Sequence, residues 1–88
     1  MSHANRLNLG LLSGIDEAVH NELLEAAEKF EPFNSAHEGY AVLLEEVDEL
    51  WQEVKHGNDF HKLEAEAIQV AAMAIRFIHD SVYGGESQ

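Results

Sequence analysis

The sequence predicts an all-α fold: a short helical bundle with an antiparallel helix hairpin, completed by oligomerisation. Three observations carry this. Helix-forming residues dominate and proline occurs once, at Pro32. Apolar residues recur at steps of three and four in three separate blocks. From position 67 to 75 the only polar residue is Gln69. A helix apolar all round for two turns must be buried on most sides, and three short helices in one chain cannot surround it. A dimer or larger assembly is therefore expected.

Residues 1–14 carry two glycines and no clear period, so they read as an N-terminal arm. Residues 15–80 form one helical domain and residues 81–88 a C-terminal tail. The first helix is predicted over 15–31, where Ile15, Val19, Leu23, Ala26 and Phe30 make a stripe. Ser13 is read as its N-cap, with Asp16 and Glu17 complementing the helix N-terminus. Pro32 ends it, because proline disfavours the helical conformation at the residue before it.

The second helix is predicted from Ser35 to about Lys55, opened by the capping-box tetrad Ser35-Ala36-His37-Glu38. Gly57 is expected to stop it in the left-handed conformation. Tyr40, Leu43, Val47, Leu50 and Val54, widened by Leu44 and Trp51, follow the 3-4-3-4 steps of a bundle seam, with Trp51 read as core. The third helix is predicted from Asn58 or Asp59 to His79 or Asp80, with Phe60, Leu63, Ala67, Val70, Ala74 and Phe77 as its stripe. The short Gly57-Asn58 connection favours a hairpin between these two helices.

A chain of 88 residues is one domain with a thin core. The absence of cysteine rules out disulfides and thiolate metal sites and fits a cytoplasmic setting. Seventeen acidic residues against five basic ones give a net charge of −12, a surface that repels nucleic-acid backbones and anionic membranes. No apolar run reaches the roughly 20 residues that span a bilayer, and no signal-peptide pattern is present. His20, His56, His61 and His79 lack zinc-ligand spacing.

The chemistry-bearing residues lie on the second and third helices. Glu45, Glu46, Asp48, Glu49 and Glu53 crowd one stretch. Glu46 and Glu49 share a face, about 4.5 Å apart along the axis. Glu66 and Gln69 repeat the three-residue spacing on the third helix. A hairpin sets Glu46 and Glu49 opposite Glu66 and Gln69, and three carboxylates with an amide oxygen suit Mg²⁺ or Mn²⁺. The competing reading is a solvated acidic face, with Gln69 a structural hydrogen-bonder.

Glu45-Glu46-Val47-Asp48-Glu49 resembles the E-E-x-x-E motif of MazG-like all-α nucleoside triphosphate pyrophosphohydrolases. Glu66-Ala67-Ile68-Gln69 falls where that family carries E-x-x-D. The flanking stretches, from His37 to Val42 and from Ala67 to Ile78, look like small phage and prokaryotic MazG-like proteins. The resemblance spans about residues 30–80. It implies a dimer or dimer of dimers and Mg²⁺-dependent release of a nucleoside monophosphate and pyrophosphate. Glu46, Glu49 and Glu66 would be metal ligands, with Gln69 in place of the family's aspartate. Glu45 or Glu49 would polarise the attacking water. Lys62 and Arg76 are candidate phosphate contacts, otherwise surface cations. His37 and Phe33 are candidate base or sugar contacts, otherwise a capping-turn residue and a core residue. The alternative function is a catalytically inactive MazG-like oligomer serving as an interaction module. A nucleic-acid mimic has only the charge in its favour.

Overall fold

The computed structural model of the chain describes residues 6–57 and 59–84. They form three α-helices: α1 (Leu9–Lys29), α2 (Ala36–His56) and α3 (Phe60–Phe77). The last runs on into a π-helical turn, Ile78–Tyr83. The described residues contain no strand, so the chain is all-α as expected. No described helix is long and apolar enough to cross a membrane.

The first helix begins six residues earlier than predicted, inside the expected arm. The side chain of Asn8, not Ser13, is the cap: its Oδ1 accepts the Leu11 N–H at 3.0 Å. Gly10 and Gly14 lie within the helix, each costing roughly 0.5–1 kcal/mol relative to alanine. Their lack of side chains hid the helical period. Asp16 and Glu17 are consequently mid-helix, and the first turn carries no acid. The far end frays at Phe30, which is extended (φ −129°, ψ 145°), two residues ahead of Pro32.

Ser35 caps α2 as predicted, its hydroxyl accepting the Glu38 N–H at 3.0 Å. The Glu38 carboxylate turns back to the Asn34 N–H at 2.6 Å, one residue upstream of the usual capping-box partner. Gly57 closes the helix at φ −13°, ψ 51°, so the left-handed conformation expected there is not adopted. Glycine fits for another reason: a Cβ would lie 2.7 Å from the Val54 carbonyl oxygen. Asp59 caps α3, accepting the His61 and Lys62 N–H groups at 2.9 and 3.2 Å. Asn58, the first five residues and the tail from position 85 lie outside the described residues.

α3 packs against both α1 and α2. The buried apolar set is Val19 and Ala26 from α1, Phe33 from the connection, and Ala72 and Met73 from α3. α2 buries only Gly39. A Cβ at Gly39 would sit 2.9 Å from the Phe77 ring and 3.1 Å from Phe33, so the missing side chain lets α2 settle onto the aromatic pair.

The predicted α2 seam therefore splits. Leu43 and Leu50 are half-buried, whereas Tyr40, Leu44, Val47, Trp51 and Val54 are exposed. Trp51, read as core, is 54% exposed, with the Lys55 ammonium 5.6 Å above its ring. The α3 stripe is likewise looser than its pattern suggests: Phe60 is 82% exposed and Ala67 is open. A single neighbouring helix covers only part of a helix's circumference, and α2 packs mainly against α3.

Candidate metal centre

Glu46 and Glu49 sit one turn apart on α2, and Glu66 meets them from α3. One carboxylate oxygen from each lies within 4.8 Å of the other two. In an octahedral shell with bonds of about 2.1 Å, neighbouring oxygens are about 3 Å apart and opposite ones about 4.2 Å. Small carboxylate rotations would close the three oxygens onto such a shell. The donor set is all hard oxygen, as Mg²⁺ and Mn²⁺ prefer.

The electrostatics show what the cluster lacks. The Glu46 carboxyl is held above the ordinary glutamate range, first by burial and then by repulsion from Glu49, Glu66, Glu45 and Glu22. Glu66 is raised as well, by burial, by the charges of Glu49 and Glu53, and by a carboxyl–carboxyl hydrogen bond with Glu49. No cation of the protein makes an ion pair with any of the three among the described residues. Three unpaired carboxylates this close favour binding a proton or a metal ion.

A cavity of about 440 Å³ opens beside the cluster and shares Glu46 with it. Glu22 and Ala26 of α1, Phe33 of the connection and Gln69, Met73 and Arg76 of α3 form the rest of the walls that matter here. Its volume falls in the range of small-molecule sites. Gln69 is half-buried on that wall. Glu45 stays outside the converging trio, exposed on α2, but close enough for its charge to raise Glu46. Phe33 is buried and lines the cavity; His37 and Lys62 are exposed and do not line it.

Several contacts hold Arg76 in place at the cavity wall. Its guanidinium lies 4.3 Å from the Phe33 ring centroid and 5.8 Å from that of Phe30. One amino group donates to the Glu31 carbonyl at 3.2 Å and stands 3.9 Å from Asp80. Asp80 in turn accepts the Phe33 N–H at 3.1 Å and contacts His79 Nδ1 at 2.7 Å. Burial pushes the Asp80 carboxyl up, but the His79 hydrogen bond, the Phe33 N–H and Arg76 outweigh it and lower it overall. Asp80 thus ties the connection around Pro32 to the end of α3 and fixes one wall of the cavity. Sequence reasoning placed Asp80 only at a helix end. The signal was present in its i,i+4 spacing from Arg76. Glu22 carried no signal, because its role depends on how α1 crosses α3.

Comparison with protein-family models, with curated proteins and with solved structures gives no match.

Proposed function

We propose that this chain is a divalent-cation-dependent nucleoside triphosphate pyrophosphohydrolase of the MazG-like kind, working as a cytoplasmic homo-oligomer. The observation that carries the reading is the convergence of Glu46, Glu49 and Glu66 beside a cavity walled by Phe33 and Arg76. In this reading α2 and α3 form an antiparallel hairpin whose facing carboxylates hold the cation. Gln69 adds a neutral amide oxygen from the same wall.

A bound Mg²⁺ or Mn²⁺ neutralises charge on the triphosphate and acts as a Lewis acid. The residues of the chain do the rest. Arg76, fixed by its aromatic and carbonyl contacts, presents a cation to phosphate. The Phe33 side of the cavity takes the nucleoside, while Lys62 and His37 remain at the periphery. Glu45 or Glu49 accepts the proton of the attacking water. The water oxygen bonds to the α-phosphorus, the bond to the α,β-bridging oxygen breaks, and pyrophosphate leaves with the electron pair.

The test is pyrophosphate release from a panel of nucleoside triphosphates with Mg²⁺ or Mn²⁺. Release that Glu49→Gln lowers about 100-fold or more supports the proposal. No release from any nucleotide, with no cation-dependent rise in Tm, defeats it. The second reading, an inactive oligomeric module, is favoured by one residue: Gln69 stands where the resembled motif has a charged aspartate. Activity gained in Gln69→Asp would locate the defect there.

A further inference from the structure

We infer that Asp80 is a positioning residue of the cavity: from behind its wall it aims the Arg76 guanidinium at a phosphate group, without touching the ligand itself. This rests on the reading of the cavity as a triphosphate site and adds the residue that makes its cation usable.

Arg76 is the only basic residue among those lining the cavity, and Glu22, Glu31, Glu38 and Glu46 line it too. A loose arginine there would swing to a nearby carboxylate and spend its donors on the protein. Asp80 prevents this from outside. It does not line the cavity. It lines a neighbouring hollow of about 320 Å³, and the two spaces share Phe30, Pro32 and Arg76 as their dividing wall. The side chains of Arg76 and Asp80 are 12% and 7% exposed, so their attraction is little screened by salt.

The guanidinium donors are divided between the two sides. Nη2 donates to the Glu31 carbonyl at 3.2 Å and stands 3.9 Å from Asp80 Oδ2. Nη1 has the Met73 sulfur as its acceptor, at 3.7 Å. A thioether is a weak acceptor, and Met73 itself lines the cavity. One edge of the guanidinium is tied back, and the other keeps donor capacity on the cavity side. A phosphate oxygen is a far stronger acceptor and would take Nη1 from the sulfur. Asp80 Oδ2 also accepts the Phe33 N–H at 3.1 Å, and the Phe33 ring lies 4.3 Å from the guanidinium. Asp80 therefore fixes both members of this stacked pair, one through its backbone and one through its charge. It does so from the π-helical turn Ile78–Tyr83, and π-helical turns are rare and recur at functional sites.

Two measurements with Mg²⁺ present test this: nucleoside triphosphate turnover, and calorimetric binding of inorganic tripolyphosphate, which needs no turnover of nucleotide. Asp80→Asn keeps the shape and an acceptor for the Phe33 N–H but removes the charge that orients Arg76. It should raise KM and the tripolyphosphate Kd about 10-fold and change kcat less than about 2-fold, because phosphate binding is loosened and the cluster carboxylates are left alone. With Arg76→Gln already in place, Asp80→Asn should change neither constant further, since it acts through the guanidinium. If Asp80→Asn leaves both constants alone, whatever it does to Tm or kcat, or if its losses add fully to those of Arg76→Gln, Asp80 is a structural tie and the inference is overturned, with the proposed activity untouched. Tripolyphosphate binding with these effects but no nucleotide turnover defeats the activity and keeps the inference. Neither turnover nor binding in the unaltered chain overturns both.

Discussion

α1 and α2 are both 21-residue helices packed on α3, yet they are held differently. α1 places Val19 and Ala26 in the core against Ala72 and Met73. α2 buries a glycine and leaves most of its apolar stripe in water. What α2 turns toward α3 is instead a mixture of leucines and carboxylates. The contrast separates two uses of a helix. α1 is bound by apolar packing, while α2 carries chemistry on one side and an uncovered apolar line on another. Carboxylates on a packed face are unfavourable unless something compensates them. The raised Glu46 and Glu66 carboxyls are the direct expression of that penalty.

The sharpest way to break this comparison is to remove apolar volume from each side. Met73→Ala should cost about 2–5 kcal/mol in urea unfolding, because Met73 is buried between helices. Val54→Ala should cost under about 1 kcal/mol at a concentration low enough to keep the chain monomeric, since Val54 is exposed. Equal losses would mean that the α2 stripe is as firmly packed as the core around Met73.

A smaller effect separates the two kinds of carboxylate. Glu46 and Glu66 bind protons more tightly folded than unfolded, so their ionisation opposes folding. That penalty is absent below the ordinary glutamate range and grows as pH rises toward their raised values. Asp80 has the opposite sign: its contribution is present above the ordinary aspartate range and is lost as pH falls through its lowered value. Melting curves should therefore show a metal-free chain that gains stability on mild acidification from neutral pH and loses it in stronger acid. Mg²⁺ should flatten the first change and leave the second. A Tm that rises steadily from acid to neutral pH would contradict the assignment for Glu46 and Glu66.

The helical class, the Ser35 cap and the Glu46–Glu49–Glu66 grouping were legible in sequence because each depends on local spacing or on one short connection. The start of α1 was not, since Gly10 and Gly14 interrupt the period and a single Asn8 side chain sets the boundary. The fate of the α2 stripe was not either. Period tells which residues share a face, but not whether a neighbour covers it, and Trp51 was assigned to a core that one chain does not build. The cavity depends on Phe33, Arg76 and Asp80 meeting across residues far apart in sequence. Only their helical spacings were visible beforehand.

The central claim is that carboxylates from α2 and α3 form one cation site. It is tested most directly by titrating the metal-free protein with Mn²⁺ and following the free-ion paramagnetic resonance signal. The account predicts saturable uptake that Glu46→Gln, Glu49→Gln and Glu66→Gln each weaken severely, while Asp48→Asn, on the same helix, leaves it nearly intact. Uptake that falls no further with the three cluster substitutions than with Asp48→Asn would reduce the cluster to a charged surface.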